Sequence, residues 1–327
     1  MTALVTGGTG FIGVHVIEQL LARGFHVRCV AKDTLNLDEL RRLKIEVVLG
    51  DLLNGISWQS ILKDVDLVFH LAGVTKARTK EEFYSGNYYA TSRLLDACVR
   101  YAPRLRRFLH VSTLAVVGPS SDGRPLTEEA PYRPLTTYAH SKMMGEQEVL
   151  QHADKLPLTV VRPSAVFGPR ERDFLQLFQL VQRGILPLVG MKDKFLSLVH
   201  VSDLVRGIVA AAESPAAEGN VYFLGSEETY TSRRVGETIA RVLNKNPLRL
   251  RLPHSMAYLA GWISQTMGKF GKKVPVCNLE KVRDMTQNAW VCDVSKARNH
   301  FGYRQDVSLE EGVTKTYEWY LKNGWLR

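Results

Sequence analysis

Leu4-Val-Thr-Gly7-Gly-Thr-Gly10-Phe-Ile-Gly13 decides how this chain is read. A short apolar run, Ala3 to Val5, enters a glycine-rich turn, and an apolar-periodic segment follows through Ile12, Val16, Ile17, Leu20 and Leu21. The pattern is strand, tight turn, helix. Glycines let the backbone turn sharply and come close to a pyrophosphate, and the helix N-terminus offers free N–H groups and partial positive charge to the phosphates. The spacing is Gly-x-x-Gly-x-x-Gly rather than the commoner Gly-x-Gly-x-x-Gly. Taken alone, it is also compatible with a plain strand-to-helix turn in any α/β domain.

Outward from that turn, the first half alternates strands and helices. Strands are predicted at Ala3–Val5, Val27–Val30, Ile45–Leu49, Val65–Leu71, Phe108–Ser112 and Leu158–Val161, and helices over 84–102 and 138–153. A Pro/Gly/Ser-rich loop covers 118–137. This alternation implies crossover units and a doubly wound parallel sheet covered on both faces. After Arg162 helical patterns dominate, with connections at Gly184–Pro187 and Ser214–Gly219 and one more strand at Val221–Leu224. The expected division is a nucleotide-binding domain over 1–165, with segments near 195–225 returning to it, and a smaller, mostly helical substrate region over 166–327. Substrate would lie in the crevice between them.

The 327 residues are 45% hydrophobic and 23% charged, as in ordinary globular proteins. No apolar run reaches the ~20 residues of a membrane span, and the turn lies too early for a signal peptide to precede it. Cys29, Cys98, Cys277 and Cys292 lack metal-ligand spacing. A reducing cytoplasm is the expected setting. The net charge of +10 is spread out and reads as a solvated basic face. No nucleic-acid motif stands in its required context, so nucleic acid is not expected as a partner, and neither is a metal.

Tyr138-Ala-His-Ser-Lys142 puts a phenol and an ammonium four residues apart on one helical face. A phenol titrating near ~10 is a poor base at neutral pH, and a nearby cation favours its ionised form. Upstream, Ser112-Thr113 closes a strand. His70, His110 and His200, in or beside strands, read as hydrogen-bonded buried histidines rather than ligands.

These features together resemble the extended short-chain dehydrogenase/reductase family, also described as the NAD-dependent epimerase/dehydratase family. The markers are Thr6 to Gly13, Gly50-Asp51-Leu52, His70-Leu-Ala-Gly73, Asn87, Ser112-Thr113, Tyr138 with Lys142, Arg162-Pro163-Ser-Ala-Val-Phe-Gly168-Pro169 and Val199-His-Val-Ser-Asp203. The resemblance covers nearly the whole chain and implies a Rossmann-type fold. It implies Tyr138 as general acid/base, Lys142 holding the nicotinamide ribose and lowering the Tyr138 pKa, and Thr113 hydrogen-bonded to the reacting oxygen. Ser112 is expected to be structural and Asn87 to brace backbone. For the cofactor it implies Gly7, Gly10, Phe11, Ile12 and Gly13 at the phosphates and Asp51 and Leu52 at the adenine. Leu71, Ala72 and Gly73 would line the cofactor, with Pro163 and Ser164 at the nicotinamide. Two departures stand out: Gly73 replaces the usual second alanine, and Val117-Gly118 replaces the usual Tyr-Gly.

The end of the second strand reads Val30-Ala31-Lys32-Asp33. An acid there holds a ribose 2′-hydroxyl and a cation accommodates a 2′-phosphate. Lys32 favours NADP; Asp33 on the ribose, with NAD, is the alternative. Where relatives acting on nucleotide sugars carry an arginine, this chain has Leu196, which cannot pair with a diphosphate. That points to the 3β-hydroxysteroid dehydrogenase/dihydroflavonol reductase-like branch and a lipophilic or polycyclic alcohol or ketone. Asp293-Val-Ser-Lys-Ala297, Phe301-Gly-Tyr303 and Leu309-Glu-Glu-Gly312 fit that branch. The alternatives are a nucleoside-diphosphate-sugar epimerase or dehydratase and a non-catalytic NADP-sensing regulator. The Thr113, Tyr138 and Lys142 set argues against the regulator.

Met256, Leu259, Ala260, Ile263 and Met267 form an apolar stripe ending in Lys269, Lys272 and Lys273. The plainer reading buries it over the substrate pocket; the sharper one makes 254–273 a peripheral membrane contact. The resemblance further implies a homodimer through the helices at 84–102 and 138–153.

Overall fold

The computed structural model describes residues 1–32, 37–270 and 278–326, with side chains described up to 266 in the middle stretch. The first half runs β1 (Thr2–Thr6), α1 (Phe11–Ala22), β2 (His26–Ala31), α2 (Asp38–Arg41), β3 (Glu46–Leu49), α3 (Trp58–Leu62) and β4 (Leu67–His70). It continues through α4 (Lys80–Tyr84), a π-helical turn (Ser85–Tyr89), α5 (Ala90–Tyr101), β5 (Arg107–Val111), α6 (Thr137–Leu150) and β6 (Leu158–Pro163). The second half contains β7 (Ala165–Phe167), α7 (Asp173–Gln182), β8 (Ile185–Val189), β9 (Phe195–Leu196), β10 (Leu198–His200), α8 (Val201–Glu213) and β11 (Asn220–Leu224). Last come β12 (Tyr230–Thr231), α9 (Ser232–Val242), β13 (Leu248–Leu252), α10 (His254–Phe270), α11 (Leu279–Thr286), β14 (Ala289–Trp290), α12 (Ser295–Phe301) and α13 (Leu309–Lys322).

One parallel sheet carries the order β11-β6-β5-β4-β1-β2-β3. Its central strands are apolar on both faces because helices cover both: Ala3, Leu4 and Val5 are fully buried, as are Val68 and Phe69. From β1 the chain winds one way to β2 and β3, then crosses to β4 and winds the other way. The crevice between β1 and β4, at their carboxyl ends, is therefore the topological switch point where such sheets bind ligands. The glycine turn leaves β1 there, and Leu71 to Gly73 leave β4 beside it.

Three expectations need correction. Residues 184–187 are no mere connection: β8 begins at Ile185 and pairs with β13. Pro187 hid it, because proline lacks the ladder N–H and is confined to sheets with exposed edges, such as this two-stranded one. The alternating Leu248-Arg-Leu-Arg-Leu252 was a readable period-two signal for its partner. The substrate region thus combines its helices with small sheets, β10-β7, β12-β9-β14 and β13-β8. The helix over 84–102 starts earlier, at Lys80, and widens into the π-helical turn around Asn87. The apolar stripe of α10 is not buried: Met256, Leu259, Ala260 and Ile263 are exposed, with Tyr258 and Trp262 beside them. The Met267 side chain, Asp33, Cys277, Lys269, Lys272 and Lys273 lie outside the described side chains. Among the described residues no helix is long and apolar enough to cross a membrane.

Candidate active site

A groove of about 730 Å³ opens at the switch point. Gly7 and Gly10 floor it; Leu71, Ala72 and Gly73 form one wall, and Lys32, Asp51 and Leu52 the far end. Gly7 adopts a φ of 76°, and a Cβ there would stand 2.6 Å from the Ala72 nitrogen. Only glycine fits between the two strand ends. A Cβ on Gly13 would reach within 2.1 Å of the Gly7 carbonyl oxygen, so α1 packs directly on the turn. No side chain caps α1, and the first-turn N–H groups of Phe11, Ile12 and Gly13 have no partners within the helix. Pro163 closes β6 on the same side of the sheet. Ser164 follows it, buried, with an Oγ that has no partner among the described residues. A dinucleotide fits these features: uncapped N–H groups for its phosphates, glycines where it must approach, and an orphan hydroxyl for its carboxamide.

At the far end the Lys32 ammonium lies 2.8 Å from Asp51, and both side chains reach solvent. Asp51 also accepts from the Leu53 N–H at 3.0 Å. Burial raises its pKa, but Lys32 and that N–H outweigh burial and leave it lowered. The residues assigned separately to the 2′-phosphate and the adenine are thus an ion pair.

Thr136 starts α6 by accepting the Ala139 N–H at 3.1 Å, a serviceable N-cap. Tyr138, Lys142 and Glu146 then follow at four-residue spacing along one face. Lys142 is buried and donates to the Val111 carbonyl at 2.7 Å. Burial lowers its pKa to about 8, with Glu146 opposing. Burial pushes the Tyr138 phenol up to about 12; its hydrogen bond with Thr113 opposes that, and the Asp284 charge adds to it. Lys142 is not among the main groups acting on the Tyr138 phenol here, its amine being hydrogen-bonded to the Val111 carbonyl. A neutral Tyr138 is equipped to donate a proton.

Behind these groups lies a dense polar core. Glu146, fully buried, accepts from Arg162 at 2.6 Å, from Tyr132 at 2.8 Å and from Ser112. Ser112 is therefore structural, as expected. Asn87, in the π-helical turn, accepts the Val74 N–H at 2.7 Å and donates to the Val74 carbonyl at 3.0 Å and to Ser141 at 2.8 Å. It braces the backbone beyond Gly73 against α6, a use of helix bulges common near functional sites. His70 is satisfied on both ring nitrogens, by Thr6 at 2.7 Å and Thr91 at 2.9 Å. His110 departs from expectation: it is buried, its ring centre 5.3 Å from that of His70, and among the described residues neither of its nitrogens has a partner. His200 reaches Ser202 through Nδ1, and among the described residues its Nε2 has no partner. Among the described residues no group of three or more potential ligands could hold a metal.

Beyond Tyr138 a second cavity of about 280 Å³ continues between α6 and α11. Thr75, Phe83, Ala115, Glu280, Lys281 and Asp284 line it with Tyr138. Sequence reasoning missed its α11 wall; the one available signal was the four-residue spacing of Glu280 and Asp284, which puts two acids on one face.

The pattern of the NAD dependent epimerase/dehydratase family matches residues 3–225. The chain belongs to this family. It is an NAD(P)-dependent oxidoreductase of the hydride-transfer kind. Its relatives include a ceramide reductase of Caulobacter vibrioides (strain NA1000 / CB15N), 31% identical over 98% of this chain and 95% of the relative. The 4-hydroxy-2-methyl-3-oxo-4-farnesyl-3,4-dihydroquinoline-1-oxide ketoreductase of Stigmatella aurantiaca is 34% identical over 96% and 95%. Among solved structures, gox2253 superposes with a TM-score of 0.83 at 26% identity, covering 100% of this chain and 99% of that one. The UDP-glucuronic acid 4-epimerase of Bacillus cereus, in complex with UDP-glucuronic acid and NAD, gives 0.78 at 25%, covering 99% and 100%.

Proposed function

We propose that the protein reduces the ketone of a lipophilic substrate to a secondary alcohol, or runs the reverse. The observation that carries this reading is Leu196. At the place where a cation would meet a nucleotide diphosphate, it packs into the apolar cluster of the substrate region. The Caulobacter ceramide reductase and the Stigmatella ketoreductase, named for such reactions, support it.

The nicotinamide, when bound, supplies or takes the hydride. Tyr138, neutral because burial raises its pKa, donates its proton to the oxygen as the carbonyl is reduced. Thr113 hydrogen-bonds the same oxygen and orients it. Lys142 holds the ribose and adds positive charge beside the forming alkoxide. Lys32 reads a 2′-phosphate, which makes NADPH the preferred reductant. Pro163 and Ser164 fix the nicotinamide face. The exposed apolar face of α10, next to α11, supports delivery of substrate from a membrane surface. Exposed Tyr89 and Val99 on the 80–101 helical run support pairing of two copies there.

The second reading is a nucleoside-diphosphate-sugar epimerase or dehydratase, using transient hydride transfer. The comparisons back it better than the ketone reading: the family pattern bears that name, and the Bacillus cereus epimerase was solved with its UDP sugar. The two separate in one experiment. NADPH-loaded protein is titrated calorimetrically with UDP, GDP and dTDP, and NADPH consumption is followed with long-chain and polycyclic ketones. Consumption with ketones and no nucleotide binding is the expected result. Micromolar binding of any nucleotide overturns the lipophilic reading in favour of the sugar one. In either case Tyr138→Phe abolishes turnover and spares cofactor binding.

A further inference from the structure

The cavity beyond Tyr138 holds four charged residues, on α11 or facing it, that have partners. Glu280 accepts from the Thr137 N–H at 3.0 Å and the Thr137 hydroxyl at 2.7 Å. Lys281 pairs with Asp173 at 3.6 Å, and Asp173 with Lys76 at 2.6 Å. Nearby, Arg283 donates to the Leu135 carbonyl at 3.2 Å. Asp284 is different. Its backbone carbonyl accepts from the Trp290 indole at 3.0 Å, but among the described residues no hydrogen bond or ion pair reaches its carboxylate. It is half-buried and lines the cavity with Tyr138, close enough for its charge to disfavour the phenolate.

A half-buried carboxylate without a partner is costly to keep. Burial raises its pKa to about 6; Lys281 and Arg283 oppose this and Glu280 adds to it. Among the described residues no neighbouring cation or helix end depends on this acid. Lys281 already has Asp173, and the α11 N-terminus is capped by Asn278, which accepts from the Lys281 N–H at 2.8 Å. The unused acceptor thus belongs to the wall of the cavity that Tyr138 also lines.

We propose that Asp284 is a specificity-determining residue. Its carboxylate accepts a hydrogen bond from a hydroxyl or amide N–H on the substrate, next to the carbonyl that Tyr138 protonates. This rests on the ketone reading above and narrows its substrate class to lipophilic ketones with an adjacent hydrogen-bond donor. A polar site of this kind rejects an analogue lacking the donor more strongly than an apolar pocket rejects a missing methylene. The donor also relieves the charge that faces Tyr138, so it favours proton donation as well as binding.

The test compares a straight-chain methyl ketone with the hydroxymethyl ketone of equal length, as substrates of the full chain with NADPH. The expected kcat/KM ratio is about 10–100 in favour of the hydroxy ketone, the span of one charged hydrogen bond. In Asp284→Ala the ratio falls to near one. In Asp284→Asn, which keeps an acceptor oxygen, it is partly retained, a rescue that a merely structural role does not give. The wild-type preference also shrinks as pH falls through about 6; Tyr138, Glu280, Lys281, Arg283, Asp173 and Lys76 are the charged or titratable groups around it. Equal rates on both ketones in the wild type, or a ratio that survives Asp284→Ala, overturn the assignment and leave the ketone reading standing. Turnover of neither ketone, with micromolar binding of UDP, GDP or dTDP, overturns both. Thermal unfolding of each variant confirms that the ratios come from folded protein.

Discussion

Glu146→Gln is the substitution whose cost this structure defines best. The Glu146 side chain is fully buried and that of Arg162 nearly so. The carboxylate accepts from Arg162 Nε at 3.0 Å and from its terminal nitrogen at 2.6 Å, from Tyr132 at 2.8 Å, and from Ser112. Glutamine keeps the shape but turns an N–H₂ toward donors and leaves the Arg162 charge uncompensated. Breaking a buried pair in this way costs about 3–5 kcal/mol. At ~2 cal/mol/K per residue, the unfolding entropy of 327 residues is about 0.7 kcal/mol/K. Tm should therefore fall by roughly 4–7 °C. Chemistry should shift as well. Glu146 is the group that holds the Lys142 pKa up against burial, leaving it at about 8. Without it Lys142 loses its proton at lower pH, and the basic limb of the kcat/KM profile moves down. The assays are urea unfolding, differential scanning fluorimetry and a pH–rate profile with saturating NADPH. A loss under 1 kcal/mol together with an unmoved basic limb would refute the claim that this pair supports the Tyr138–Lys142 helix.

Two further outcomes are expected. Lys32→Ala should raise KM for NADPH about 5–10-fold and leave KM for NADH within twofold, as for loss of one solvent-screened contact to a phosphate; an equal effect on both, seen in initial-rate kinetics, removes Lys32 from cofactor choice. Asp284→Asn should stabilise the fold near neutral pH by roughly 1–3 kcal/mol. The sign follows from a folded pKa of about 6 against an ordinary 3.8: between those values the native state holds more protons than the unfolded chain, so stability falls as pH rises through the window. The gain should be full above it and vanish below it in urea titrations; a gain independent of pH rejects the assignment of the cost to ionisation.

The sheet was legible because its signals are local. The glycine turn, the fully apolar strands and the Tyr138–Lys142 spacing each lie within a dozen residues. The groove-lining positions Gly7 and Gly10 could be placed from that turn, and Leu71 to Gly73 from the family resemblance. The polar core was not legible. Glu146, Arg162 and Tyr132 meet only when α6 is laid on β6 and the 118–137 loop folds back. The unpartnered nitrogens of His110 depend on what surrounds β5, which no strand pattern reveals. Asp284 lies 146 residues after Tyr138, and nothing in its neighbourhood distinguishes it from a surface acid. The exposure of α10 was misread because an apolar stripe is the same in sequence whether protein or something else covers it.

The strand order also sets a timetable for synthesis. β11 completes the sheet by pairing with β6, yet the two are separated by the 56 residues between Pro163 and Asn220. At ~5–20 residues per second on the ribosome, β6 waits roughly 3–11 s for its neighbour. During that interval its row of unpaired N–H and C=O groups is open to any strand that meets it. A nascent chain stalled before residue 220 therefore already holds the glycine turn and the Tyr138 helix while presenting a raw sheet edge, so it is at this length that chaperone capture of the growing chain should be greatest.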